Sequence, residues 1–243
     1  MHAVGPLDLT VQEGDLLAIV GPSGCGKSTL LRALARTLDF TSGEVHQSGK
    51  VHLKENRLRE GMAFVTQTPR LLPWRTLLQN ACLGAEIKGK LEQGDLDRVR
   101  SSLARFRLTG FEDSLPGELS GGMAQRVALV RAIDSEPSLL FCDEPFSAVD
   151  FVSRFELNRE FKKMCRGGIT TVFVTHNIEE AIFLGDEILV LSGRPGRVVQ
   201  RYEAKDLSIL PNRHDPVECR KSAEFLRLFD DIWEDLKRGH SNY

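Results

Sequence analysis

Eight residues near the start of the chain, Gly21-Pro22-Ser23-Gly24-Cys25-Gly26-Lys27-Ser28, fit the pattern G-x-x-x-x-G-K-[ST]. Each residue type suits a bound phosphate chain for its own reason. Glycines let backbone amides turn inward around a β-phosphate, and the helix that follows presents its positive end. Lys27 is spaced to bridge β- and γ-phosphates, and the Ser28 hydroxyl to ligate magnesium. Acid and base groups lie far along the chain. Asp143-Glu144 closes the apolar run Leu139-Leu140-Phe141-Cys142, His176 follows Thr171-Val172-Phe173-Val174-Thr175, and Gln67 follows Met62 to Thr66. Asp143 would reach magnesium through water, and Glu144 would orient or deprotonate a water attacking a γ-phosphate. Taken singly, the acids read equally well as a helix N-cap, His176 as a satisfied polar residue and Gln67 as a surface amide. They gain meaning together, because parallel strand ends converge on one sheet edge where ligands collect.

A second phosphate-binding element, Leu119-Ser120-Gly121-Gly122-Met123, is too distant in sequence to belong to the same loop. Ser120, Gly121 and Gly122 stand at the start of an expected helix, Met123 to Ile133, where a hydroxyl and free amides face an anion. Without the first loop, a helix-capping turn explains them as well.

The elements that must position these groups alternate in type. Leu7–Val11 and Leu16–Val20 read as strands around the turn Gln12-Glu13-Gly14-Asp15; the second is continuously apolar, as in a strand covered on both faces. Residues 28–38 read as a helix with Leu30, Leu31, Leu34 and Leu38 inward, and Glu44 to Leu53 as one or two strands broken at Ser48-Gly49. Further strands are expected at 62–66, 139–142, 170–175 and 187–191, and a turn over 192–197 leads to Val198-Val199. From 76 to 133 the pattern is helical, with a loop near Leu115-Pro116-Gly117. The tail repeats Phe225, Phe229, Ile232 and Leu236 at helical spacing, as in a helix packed on its own core. The fold expected is α/β: a parallel sheet with a small antiparallel β subdomain and an inserted helical subdomain. As one domain over 1–243 it divides into a nucleotide-binding core (1–75 and 134–200), a helical insert (76–133) and a short helical tail (201–243).

The chain has 243 residues, 41% hydrophobic and 27% charged, enough to bury one sizeable core. A net charge of −2 gives no electrostatic case for nucleic acid. No apolar run is long enough to span a bilayer, and the N-terminus lacks the features of a signal peptide. Five scattered cysteines suggest reduced thiols, so the expectation is a soluble intracellular protein whose membrane role comes through a partner.

In the order of these motifs the chain resembles the ATPase subunit of an ABC transporter over nearly its whole length. Walker A is Gly21 to Ser28, Gln67 resembles the Q-loop glutamine, and Leu119 to Met123 the signature, followed by Gln125-Arg126. Walker B ends at Asp143-Glu144, Ser147-Ala148-Val149-Asp150 resembles the D-loop with Val149 where leucine is usual, and His176 matches the switch histidine. The resemblance implies ATP and Mg2+ as cofactors, with residues 21–28 and Thr29 on the nucleotide and Ser28, Gln67 and Asp143 toward the metal. Glu144, His176 and Gln67 would be catalytic. It also implies a head-to-tail homodimer in which Leu119, Ser120, Gly121, Gly122, Met123 and Gln125 meet the partner's ATP, with Ser147 and Asp150 in the D-loop.

A finer resemblance points to nitrate, sulfonate and taurine importers. It rests on 69–76 (Pro69-Arg70-Leu71-Leu72-Pro73-Trp74-Arg75-Thr76), Asp143-Glu144-Pro145-Phe146, Leu191-Ser192-Gly193-Arg194-Pro195-Gly196-Arg197 and the tail helix with Ile232-Trp233. Arg70, Leu71, Leu72 and Trp74 would then face a membrane permease, with Leu71, Leu72 and Trp74 as a socket for its cytoplasmic helix. The subunit would sit peripherally on the cytoplasmic face of the inner membrane, in a system with an external substrate-binding protein. The family's adenine-stacking aromatic aligns just before Met1, so the expected natural start is upstream, and an extension should tighten ATP binding. Asn177 stands where aspartate is usual, and Ala124 where a basic residue is common. The competing functions are a non-transport ABC ATPase, which calls for long coiled-coil heptads or a second cassette, and a regulatory ABC module, which tends to lose Glu144 or His176.

Overall fold

The computed structural model describes residues 3–38, 61–89, 91–212 and 215–240. Among these residues six strands make one sheet: β1 (Leu16–Val20), β2 (Met62–Val65), β3 (Leu139–Asp143), β4 (Thr170–Thr175), β5 (Glu187–Leu191) and β6 (Val198–Tyr202). Their order is β2-β3-β4-β1-β5-β6, and all pairs are parallel except β5 with β6. β1 is central and its five residues are each 0% exposed, which explains its unbroken apolar sequence. Period-two alternation sorts the strand residues between two cores. Leu17 and Ile19 pack with Phe141, Val172, Val174 and Leu189 on one face; Leu16, Ala18 and Val20 pack with Phe173, Ile188 and Val190 on the other.

Helices α1 (Lys27–Leu34), α2 (Leu77–Ala81), α3 (Leu83–Lys88), α4 (Gln93–Arg105) and α5 (Gly121–Ile133) precede β3. α6 (Phe151–Cys165) and α7 (Ile178–Leu184) connect the strands that follow, and α8 (Ala204–Leu207), α9 (Pro216–Arg220) and α10 (Ala223–His240) end the chain. The 76–133 region is helical as expected, and its loop holds only the single 3₁₀ turn Pro116–Glu118. Among the described residues the tail holds three helices, and the stretch expected as a single helix is split between α9 and α10. The Ser222 hydroxyl accepts from Phe225 N at 3.2 Å and restarts the chain as α10, whose Phe225 and Ile232 join the main core.

Three local expectations are corrected or left outside. α1 stops at Leu34 because Arg36 takes a left-handed φ of 50°, and Leu38 is consequently 46% exposed rather than inward. Residues 7–11 form no strand among the described residues, yet Leu7, Leu9 and Val11 still pack on the α1-side core while Asp8 and Thr10 are exposed. Segment 44–53, expected as one or two strands, lies outside the described residues. All five cysteines are buried and none forms a disulfide. Among the described residues no helix is long and apolar enough to cross a membrane.

Candidate nucleotide site

β1 ends at Val20 and delivers the chain directly into the glycine loop. Gly24 (φ 79°) and Gly26 (φ 102°) hold left-handed backbone that L side chains rarely adopt. Space is short as well as φ: a Cβ on Gly26 would lie 2.5 Å from Ala3 O. Cys25 is 1% exposed and burial pushes its thiol up, so it packs the loop rather than serving as a thiolate. Lys27 Nζ donates to Gly21 O (2.7 Å) and Pro22 O (3.0 Å), which keeps the ammonium against the loop.

Ser28 Oγ donates to Asp143 Oδ1 at 2.8 Å, joining the start of α1 to the end of β3. Burial raises the Asp143 carboxyl above its usual range, opposed by that hydrogen bond and by the charges of Arg32 and Lys27. A hydroxyl and a buried carboxylate this close are the hard oxygen donors that a divalent cation such as Mg2+ takes, with water and phosphate completing the shell. Among the described residues no cluster of three His, Cys, Asp or Glu could hold a metal alone.

Glu144 follows Asp143 with a φ of 48°, its N–H donating to Val174 O at 3.0 Å. This turn aims its carboxylate at two groups from neighbouring strand ends. Gln67 Nε2 donates to Glu144 Oε2 at 3.2 Å, and His176 Nδ1 lies 3.2 Å from the same oxygen. The sheet edge thus brings together Gln67, Glu144 and His176, which follow the ends of β2, β3 and β4 and lie far apart in sequence. Behind His176, buried Glu180 accepts from Thr175 Oγ1 at 2.7 Å and lies 3.5 Å from Arg154 Nε; burial raises its carboxyl. Asn177 caps α7, its Oδ1 accepting from Glu180 N at 3.2 Å, a task that Asn performs as well as Asp. Glu180 went unmarked in the sequence because it reads as an ordinary acid in a helix's first turn.

A cleft of about 370 Å³ runs over the loop, lined by Ser23, Gly24, Gly26, Lys27, Ser28 and Thr29. Gln67 and Glu144 also line it, as do Ala3 and Arg194, which sequence reasoning did not place in the site. A larger cleft, about 600 Å³, lies by α4 and the end of α6 and holds none of these groups. Chemistry, not size, identifies the site.

The signature residues do not line this cleft. Ser120 caps α5, accepting from Met123 N at 3.2 Å, and Ser120 and Gly121 are exposed. Gly122 is needed for closeness: a Cβ there would meet Ala148 O at 2.8 Å, so the signature turn rests on the D-loop. Leu119 and Met123 pack partly on the core. Gln125 is corrected: it is 0% exposed and donates to Thr66 O at 3.1 Å, so it does not face outward with Ser120. Its place on α5 turns it toward β2, where it steadies the strand end before Gln67. In the D-loop, Ser147 Oγ donates to Glu144 O at 3.0 Å and Asp150 caps α6 by accepting from Ser153 N at 2.9 Å.

The segment 69–76 is also only partly an outward surface. Trp74 is 72% exposed and Arg70 is exposed, whereas Leu71 packs on the core and Leu72 is half-buried, so the three-residue apolar socket does not form. The cause is Asn80, fully buried, whose Oδ1 accepts from Leu72 N (2.8 Å). Its Nδ2 donates to Leu72 O (3.1 Å), Arg75 O (3.0 Å) and Thr76 O (3.0 Å). This pulls the loop onto α2.

A parallel sheet whose central strand feeds a phosphate loop, with Asp-Glu at a neighbouring strand end, defines a P-loop nucleoside triphosphatase. The family model described as ABC transporter matches residues 4–147, and the chain belongs to that family as an ATP-binding, ATP-hydrolysing subunit. It is 39% identical over 221 residues to the aliphatic sulfonates import ATP-binding protein SsuB 1 of Pseudomonas syringae pv. syringae, covering 90% of this chain and 86% of the relative. With the taurine import ATP-binding protein TauB of Rhizobium johnstonii it shares 34% over 236 residues, covering 96% and 88%. The dimeric structure of the ABC transporter cassette MJ0796 matches with a TM-score of 0.74 and 31% identity, covering 83% of this chain and 90% of that one. A dimeric post-hydrolysis state of the same cassette, bound to ADP and Pi, matches with a TM-score of 0.72 and 30% identity over the same shares.

Proposed function

We propose that this chain is the ATP-hydrolysing subunit of an importer for a small anion or organosulfur compound of the aliphatic sulfonate or taurine type. The observation that carries the hydrolytic reading is the Glu144 carboxylate, held at the sheet edge between Gln67 and His176 beside the phosphate loop. The γ-phosphate lies toward Gln67 and Glu144, with the loop amides and Lys27 on the β- and γ-phosphates. Glu144 accepts the proton of the attacking water, and Gln67 and His176 hold the carboxylate and that water in line. Ser28 and Asp143, with Gln67 nearby, would hold Mg2+, which would supply charge neutralisation for the triphosphate.

Two copies meet head to tail, so that Ser120, Gly121 and Gly122 of one face the ATP of the other, with the D-loop of Ser147 and Asp150 between them. Exposed Ser120 and Gly121 at the start of α5 support this reading. The helical unit 76–133 carries the signature, and exposed Trp74 just before it and exposed Ile87 within it, joined by the Arg75–Glu86 ion pair, offer a surface suited to a permease's cytoplasmic helix. A permease and an external binding protein complete the system, which seats this subunit on the cytoplasmic side of the membrane. The relatives named for sulfonate and taurine import support the solute class.

The test is Glu144→Gln. ATP binding should remain near the wild-type affinity while phosphate release falls by about 10²-fold or more, the scale of lost general-base catalysis. Wild-type turnover in this variant would overturn the assigned role.

A further inference from the structure

We infer that Arg194 forms the base-binding wall of the nucleotide cleft, with its planar guanidinium stacked on the adenine ring. This rests on the nucleotide-site reading above and adds the part of the ligand that the glycine loop does not explain. The sheet order gives the cleft a direction. β3 and β2, which end in Glu144 and Gln67, lie on one side of β1; β5, which leads to Arg194, is its neighbour on the other. A triphosphate laid over the β1–α1 loop with its γ-phosphate toward Glu144 therefore directs its base toward Arg194, which lines the same cleft.

The segment carrying Arg194 is anchored to the phosphate loop. Ser192 N donates to Arg197 O at 2.8 Å and Arg197 N to Ser192 Oγ at 3.0 Å, which closes the turn. Gly193 N donates to Gly239 O of α10 at 3.1 Å, Gly196 N to Ala3 O at 3.1 Å and Gly5 N to Gly196 O at 2.8 Å. Gly196 sits so close to the phosphate loop that a Cβ there would lie 2.4 Å from Cys25 O. The turn is therefore fixed against Cys25–Gly26, and the Arg194 side chain projects, exposed, at the mouth of the cleft. A guanidinium is planar and weakly hydrated, and it stacks on nucleobases. The phosphates already have Lys27 and the loop amides.

Calorimetry on the full chain with ATP and with inorganic tripolyphosphate separates base from phosphate contact. Arg194→Ala should weaken ATP about three- to tenfold, the scale of one cation–π contact, and leave tripolyphosphate affinity unchanged. Arg194→Tyr should restore ATP binding by supplying another flat face. ATP affinity unchanged in Arg194→Ala overturns the inference. So does an equal loss for both ligands, which would make Arg194 a phosphate contact. Lys27→Ala is the control for the underlying site: it should weaken both probes. If the wild type binds neither probe, the site reading fails and this inference falls with it.

Discussion

Glu144 and Asp134 show how burial and backbone set the behaviour of single carboxylates. A non-glycine residue in left-handed backbone costs of order 1–3 kcal/mol, and Glu144 holds a φ of 48° where the Val174 carbonyl fixes its N–H. That turn is what puts its Oε2 within reach of both Gln67 and His176. Asp134, at the end of α5, has no part in the nucleotide site. It accepts from Ser102 Oγ at 3.0 Å, and burial pushes its carboxyl up to about 6. Because the folded value lies above the unfolded one, this group favours folding below about pH 4, and that contribution is lost as pH rises through about 6. At neutral pH the ionised, 6%-exposed carboxylate costs on the order of 3 kcal/mol. Asp134→Asn should therefore gain melting temperature relative to wild type between pH 4 and pH 6. A difference that stays flat across that window, read by thermal melts in matched buffers, would refute the assignment.

Among elements, the capping residues and Asn80 decide where the helices start and how the segment before α2 lies. Ser120, Asp150 and Asn177 each sit at an N-cap, so one side chain both starts a helix and places a functional turn. Asn80 does more, since its fully buried amide accepts from Leu72 N and shares its two N–H protons among the carbonyls of Leu72, Arg75 and Thr76, which holds the 72–76 backbone. Asn80→Ala leaves those backbone groups to find other partners and should cost about 2–4 kcal/mol. A drop in the urea midpoint with an unchanged m-value, together with new protease cleavage within 70–76, is the expected result. Full retention of the midpoint would mean that the loop holds itself.

The whole molecule is asymmetric in a way that the proposed head-to-tail dimer would exploit. The cleft over the phosphate loop does not include the exposed signature turn at Ser120–Gly121, so in the proposed dimer each would be half of a site. Two individually inactive variants, Lys27→Ala and Ser120→Arg, should complement when mixed, because the heterodimer has one site built from intact halves. An equimolar mixture should regain up to about a quarter of wild-type turnover, since half the dimers are mixed and each has one good site of two. Turnover no higher than that of the separate variants, with dimers present by light scattering, would sink the shared-site model.

The apolar run of Leu16–Val20, the glycine-lysine-serine spacing after it and the carboxylates closing Leu139–Cys142 are local patterns, and the chain by itself determined them, together with the parallel sheet they imply. The helical spacing of Phe225, Phe229, Ile232 and Leu236 likewise marked the tail that forms α10, because an amphipathic face is written in local i, i+3, i+4 spacing. Tertiary structure decided what depends on residues far apart meeting. Gln125 turned inward to Thr66, Leu71 joined the core while Trp74 stayed out, and Glu180 came to lie behind His176. Arg194 reached the phosphate loop because β5 lies next to β1. No single segment encodes such encounters, since strand order is settled only when the hydrophobic faces of the whole chain are buried together.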